Sequence, residues 1–160
     1  MKRQALLIET IASLFILLFI YTAFSKWLDF QDFVGQMNNQ PFDNRYTPLL
    51  VWGIPSIELI VAVMLMFNAT RSAGFIAANV LMLVFTVYVG LVTFHFFERV
   101  PCSCGGVIRN FTWPQHFAFN LFFLVIGLIG IVLYNREKRY LTSAKQVNQS
   151  LTKNNFYETH

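Results

Sequence analysis

The sequence predicts an all-α, polytopic membrane protein: a four-transmembrane-helix bundle with both termini on the cytoplasmic side. Hydrophobic residues make up 56% of the 160 residues and charged residues only 12%, whereas soluble globular domains carry about 25% charged residues. The scarce charges leave four long stretches almost free of Asp, Glu, Lys and Arg. A single soluble domain is therefore excluded, and we expect one membrane domain over residues 1–135 and a polar cytoplasmic tail with a frayed helix end over residues 136–160.

The four spans are placed by length, because a transmembrane helix needs about 20 mostly apolar residues. In chain order, the predicted spans cover about residues 5–24, 48–67, 72–97 and 115–134. Glu9 lies near the start of the first span, Glu58 lies close to the middle of the second, and the last two spans contain no formal charge. Four such helices with short connections predict a bundle.

The connection over residues 25–47 is long enough to cover one end of this bundle. Pro41 and the preceding asparagine-rich stretch favour turns over a continuous helix. Phe30, Phe33 and Phe42 are apolar, so we expect them to fold this connection back onto the spans.

The start of the fourth helix is marked by a capping-box pattern, Thr112-Trp113-Pro114-Gln115. Thr112 is suited to cap the helix, Gln115 to reach back to it, and a proline fits the first turn. The positive end of this helix dipole then points toward the preceding loop, where it would favour a thiolate.

The orientation follows from the basic residues, because short cytoplasmic loops are enriched in Lys and Arg. With both termini inside, the inner side holds Lys2, Arg3, Arg71, Arg136, Lys138, Arg139, Lys145 and Lys153. The outer side holds only Lys26, Arg45, Arg99 and Arg109. Trp27, Trp52 and Trp113 then fall near the outer interface, where indole rings prefer to lie.

The two cysteines of the chain, Cys102 and Cys104, lie on the predicted outer loop between the third and fourth spans. Thiols outside a bacterial inner membrane are kept oxidised, and a one-residue spacing closes too short a ring to stabilise the fold much by chain entropy. We therefore predict a redox pair. The alternative is a structural disulfide. Arg99 and Arg109 flank the loop and are either thiolate-stabilising cations or interfacial anchors.

Glu58 is the candidate intramembrane acid, because ionisable residues near the bilayer centre usually face a bundle interior and mark function. Pro55 precedes it by three residues and frees a backbone carbonyl in the preceding turn. The alternative is a structural Glu58 hydrogen-bonded to Asn79 or Thr86 on the third span.

Two histidines bracket the cysteine loop, His95 near the end of the third span and His116 near the start of the fourth. Either is suited to shuttle the proton of thiol exchange, or to be an ordinary interfacial residue. Asn120 follows His116 by four residues and shares its helix face. Lys26 is expected to snorkel to the surface in preference to pairing with an acid.

Taken together, the sequence resembles the redox-associated membrane proteins of the MauE and DoxX group, in the form common in Bacteroidetes. The motifs that carry this resemblance are Phe24-Ser25-Lys26-Trp27, Pro55-x-x-Glu58, Cys102-Ser103-Cys104-Gly105-Gly106 and Trp113-x-x-His116-x-x-x-Asn120. MauE is implicated in maturing methylamine dehydrogenase, whose small subunit is rich in disulfides, alongside a thioredoxin-like partner. The resemblance covers about residues 5–135 and implies periplasmic disulfide metabolism with Cys102 and Cys104 as the redox pair.

A more distant likeness to four-helix thiol oxidases of the vitamin K epoxide reductase type suggests a quinone acceptor. Those enzymes combine a Cys-x-x-Cys pair in the membrane with extra loop cysteines, whereas this chain has one Cys-x-Cys pair. The residues themselves assign no cofactor.

The leading hypothesis is an inner-membrane thiol–disulfide oxidoreductase whose Cys102 and Cys104 exchange a disulfide with a periplasmic thioredoxin-like or disulfide-rich protein. Two alternatives stay open. One is a non-catalytic assembly factor with a structural disulfide, and the other is a carrier of a soft metal such as copper, for which two thiolates and a histidine are a sparse ligand set. The expected partners include the lipid bilayer and exclude nucleic acid.

Overall fold

The computed structural model describes residues 2–40, 43–94 and 112–158, which contain helices and no strand. In chain order these are α1 (Lys2–Leu28), α2 (Phe30–Asn38), a 3-10 helix (Asn44–Tyr46), α3 (Thr47–Met66), α4 (Arg71–Thr93) and α5 (Trp113–Glu158). Four of the helices, α1, α3, α4 and α5, are long and apolar enough to cross a membrane. The predicted all-α class and the number of apolar helices long enough to span a membrane are therefore confirmed, whereas the cytoplasmic location of both termini stays a prediction.

The four long helices form a bundle in which α1 packs against α3 and α5, and α4 packs against the same two neighbours. Large aromatic side chains fill its centre, with Phe15 and Phe19 fully buried on α1 and Phe75 almost so on α4. Phe15 meets Phe123 of α5 edge to face, with ring centroids 5.5 Å apart. Edge-to-face pairs add to the stabilisation that burial itself provides.

The outer surface of the bundle is apolar as well. Leucine, isoleucine, valine and phenylalanine side chains point outward from every long helix, as Leu17 at 66%, Ile60 at 58%, Val84 at 57% and Phe122 at 57% exposure illustrate. Water would disfavour such a surface, whereas lipid tails are as apolar as these side chains. The exposed faces thus fit the predicted association with a lipid bilayer.

The two ends of the bundle differ in chemistry. The tryptophan end, as we name it, comprises the end of α1 and the starts of α3 and α5, which carry Trp27, Trp52 and Trp113. At the opposite end, Arg71 of α4 donates from its guanidinium to Glu9 of α1 at 2.5 Å and to the Leu65 carbonyl at 3.1 Å. One arginine therefore ties three helices together at that end.

The connection after α1 is more helical than the sequence predicted. The first helix continues to Leu28, and α2 follows where turns were expected. The predicted return onto the bundle is observed, since Phe33 and Met37 of α2 are buried against Val51 of α3. Phe42 lies outside the described residues.

The last helix also exceeds its predicted bounds. It begins at Trp113, where the Thr112 backbone N–H donates to Gln115 Oε1 at 3.0 Å, as the capping pattern predicted. It then passes residue 135 without a break and continues to Glu158, in place of the expected frayed end. No Gly or Pro follows Gly130, so the polar composition alone does not end the helix. The cytoplasmic location of residues 136–160 stays a prediction.

Candidate functional site

A buried ion pair joins α1 to α3 in the tryptophan half of the bundle. Glu58 is only 1% exposed, and Lys26 Nζ donates to its two carboxylate oxygens at 2.8 and 3.0 Å. The same ammonium donates to the Thr22 carbonyl at 3.3 Å and lies 6.0 Å from the centre of the Phe33 ring. Both charges are thus paired and hydrogen-bonded, which is the condition under which a protein interior tolerates buried charges.

This pairing corrects two sequence predictions. Lys26 does not snorkel to the surface, since it turns inward to Glu58. Asn79 and Thr86 do not bind Glu58, because each donates to a carbonyl of its own helix, Asn79 to Phe75 at 2.9 Å and Thr86 to Met82 at 2.6 Å. The predicted bundle-interior position of Glu58 is correct, and its partner is a cation from α1.

The ion pair lies in the wall of a cavity of about 230 Å³. Five helices contribute to the wall, and most of its surface is apolar, from side chains such as Phe19, Ile54, Met82 and Phe119. The polar groups in the wall are Thr22, Lys26, Gln40, Glu58, Tyr88, His116 and Asn120. An apolar pocket with a few convergent polar groups is the usual form of a small-molecule site.

His116 and Asn120 occupy successive turns on one face of α5 and both line this cavity. Lys26 lines the same cavity as these two residues. Asn120 is only 5% exposed, and neither its amide nor the His116 ring forms a hydrogen bond to another described residue. Buried polar groups are normally hydrogen-bonded, so these two side chains offer unused donors and acceptors to the cavity.

Three polar cavity residues were missed by the sequence reasoning, namely Thr22, Gln40 and Tyr88. Gln40, at the end of the α2 segment, accepts a hydrogen bond from the Tyr88 hydroxyl of α4. Both residues line the cavity, so this contact adds a polar bridge to its wall. From the sequence, a glutamine that follows an asparagine-rich stretch is expected at the surface. Gln40 reaches Tyr88 only because α2 folds back onto the bundle.

The predicted redox pair, Cys102 and Cys104, lies outside the described residues, as does His95. The segment that contains them connects Phe94 to Thr112, and it thus joins α4 and α5 at the tryptophan end, the end nearest to the cavity residues Tyr88 and His116. Within the described ranges, no group of three or more His, Cys, Asp and Glu side chains is placed to hold a metal ion. A copper site that uses the cysteines is untested by that finding.

A family model described as methylamine utilisation protein MauE matches residues 4–133, which is more than half of the chain and covers part or all of each of the four spanning segments. No curated protein and no solved structure matches the sequence.

Proposed function

The chain belongs to the MauE family of methylamine utilisation proteins, and on that premise we propose that it supports the maturation of a partner protein by thiol–disulfide exchange. The family match confirms the MauE part of the resemblance inferred from the sequence. The likeness to DoxX and the Bacteroidetes form stay predictions. The four apolar helices make it a multi-pass membrane protein.

Cys102 and Cys104 are the proposed redox pair. Exchange begins when a thiolate attacks a disulfide sulfur, and it passes through a mixed disulfide with the partner. One cysteine attacks, one partner sulfur leaves as a thiolate, and the second cysteine resolves the mixed disulfide. The partner disulfide is thereby reduced to two thiols while the protein pair is oxidised, and the reverse sequence oxidises the partner.

The observation that carries this proposal is the polar cluster of Lys26, Glu58 and His116 in the tryptophan half of the bundle. The segment with both cysteines joins the bundle at this same end. Thiol exchange needs groups that bind and release protons and cations that favour a thiolate. His116 and Glu58 are suited to the proton transfers, and His95 stays a predicted second shuttle.

We place the protein in a bacterial inner membrane with the cysteine segment toward the periplasm and both termini in the cytoplasm. The support is the distribution of basic residues, eight toward the termini side and four toward the tryptophan end, together with the positive-inside rule. The partner class that this location favours is a periplasmic thioredoxin-like or disulfide-rich protein, because disulfides persist in that compartment.

Trapping tests the exchange reaction directly. In cells that express Cys104→Ser, a thiolate of Cys102 that attacks a partner is left without its resolving thiol, so a mixed disulfide should accumulate. We expect a larger species on a non-reducing gel that disappears on reduction, and mass spectrometry should identify the partner. Cys102→Ser tests the opposite order of attack.

The matched control is the double variant Cys102→Ser/Cys104→Ser, which should trap nothing. The proposal is wrong if neither single variant traps a partner and the double variant still supports normal partner maturation. That pair of results would favour the non-catalytic assembly factor, in which the disulfide only shapes a binding surface.

A further inference from the structure

The cavity described above reaches the lipid. Val84 forms part of its wall and is also 57% exposed on the outer side of α4. On the other side of the cavity stand Ile54 and Glu58 of α3. At the opposite end of the bundle α3 and α4 are in close contact, where the Gly74 position faces the Leu65 backbone. A molecule dissolved in the bilayer can therefore enter from the side, beside α4.

The polar groups restrict which molecules fit. Glu58 neutralises Lys26, and these are the two charged residues that the described part of the chain contributes to the cavity wall. An anionic lipid phosphate would find no unpaired cation among these described residues, and a buried unpaired charge is strongly disfavoured. A plain alkyl chain would leave the His116 ring and the Asn120 amide without partners. The wall thus favours a neutral, apolar molecule that has hydrogen-bond acceptors.

The volume of the cavity further limits the size of the molecule that fits. Pockets for drug-sized ligands measure about 300–1,000 Å³, and this cavity, at about 230 Å³, is smaller. It suits a single ring with small substituents whose apolar tail continues into the lipid. Phe19, Phe85 and Phe119 in the wall present aromatic surfaces to such a ring.

We propose that this cavity binds the head ring of a membrane-soluble isoprenoid quinone, with the Asn120 amide and the His116 imidazole donating hydrogen bonds to its carbonyl oxygens. A quinone meets each requirement: it is neutral and lipid-soluble, with a flat apolar ring and two acceptor oxygens. Asn120 contributes a donor fixed by burial, and His116 contributes a group that both holds and releases a proton.

The role of the quinone, though not its binding, rests on the proposed thiol–disulfide function. When bound, the quinone supplies an acceptor for two electrons and two protons: Cys102 and Cys104 lose both as their S–S bond forms, and the quinone becomes the quinol. His116 is placed to donate a proton at a carbonyl oxygen, and the Lys26–Glu58 pair lines the same cavity.

Equilibrium binding of decylubiquinone to the purified full-length protein in detergent tests the assignment, with bound quinone measured by its absorbance after dialysis. Asn120→Leu should weaken binding about tenfold, because the ring loses a hydrogen bond and the loss leaves an acceptor unpaired. The matched control is Asn135→Leu, the same substitution at an exposed position of α5 outside the cavity. It should leave the Kd unchanged.

A second pair of variants tests the entrance without changing the polar groups. Val84→Trp places a large ring at the lipid-exposed mouth and should lower quinone binding at least as much as Asn120→Leu. Val80→Trp is its control, because Val80 lies one turn away on α4, is similarly exposed at 56%, and does not line the cavity. Equal binding by the two tryptophan variants would overturn the proposed site.

The outcomes separate this inference from the proposed function. The Cys102→Ser/Cys104→Ser variant should bind decylubiquinone like the unmodified chain, since neither cysteine is needed for binding. If quinone binds and no partner is trapped, the exchange function fails and the cavity assignment stands. If a partner is trapped while the unmodified chain binds no quinone, or while decanol displaces it as effectively as a second quinone, the cavity assignment is wrong.

Discussion

Replacing Lys26 by methionine is expected to destabilise the folded bundle by about 3–5 kcal/mol, the cost of leaving one partner of a buried ion pair alone. The substitution keeps the length of the side chain but removes the ammonium that donates to both oxygens of Glu58. Glu58 is 1% exposed, so its carboxylate would be left buried without its cation. A reversible unfolding titration with SDS in mixed micelles should show a large decrease in the free energy of unfolding.

Two comparisons separate charge from packing in this experiment. Lys26→Met/Glu58→Leu removes both charges and should recover much of the lost stability, because buried pairs can be replaced by apolar groups at little cost. Arg45→Met breaks an ion pair with Asp43 whose side chains are 89% and 57% exposed, so it should change stability by less than about 1 kcal/mol. A double variant as unstable as Lys26→Met would contradict the ion-pair explanation.

The spans were predictable because a helix that crosses a bilayer needs a long run of apolar residues. Such a run is visible in a single stretch of sequence, without knowledge of the other helices. Each span is a long apolar run that contains at most one charged residue, and the capping pattern at Thr112 marks the start of α5 within two residues. The end of α5 was not predictable in the same way. Polar residues after Tyr134 end the apolar run, but without Gly or Pro they continue the helix.

The candidate site was predictable only in part, because its contacts depend on the relative axial positions of helices. Glu58 stands out as a carboxylate among apolar residues, and the shared face of His116 and Asn120 follows from four-residue spacing. The contact of Lys26 with Glu58 joins residues 32 positions apart in the chain. No periodicity encodes how far α1 slides along α3, so the sequence favoured snorkelling for the lysine.

A large effect is also expected from Gly127→Ala on α5. A Cβ atom built at this glycine would lie 2.5 Å from Asn79 Nδ2 and 2.7 Å from Asn79 Oδ1. Asn79 cannot easily move away, because it is 7% exposed and its amide donates to the Phe75 carbonyl at 2.9 Å. We therefore expect either α5 to separate from α4 or the hydrogen bond to break, with a loss of about 2–3 kcal/mol in the free energy of unfolding.

A glycine-to-alanine substitution at an uncrowded position tests whether the contact with Asn79 causes the loss of stability. Gly53→Ala on α3 is the matched control, because nothing lies within 4 Å of a Cβ atom built there; it should be neutral or slightly stabilising, since alanine favours the helix more than glycine does. Adding Asn79→Ala to Gly127→Ala removes the obstructing amide and should restore most of the lost stability. If the double variant is no more stable than Gly127→Ala, the close approach of α4 and α5 does not depend on this contact. Recovery would instead mean that a single glycine lets a polar side chain of α4 fit against α5 in the apolar interior.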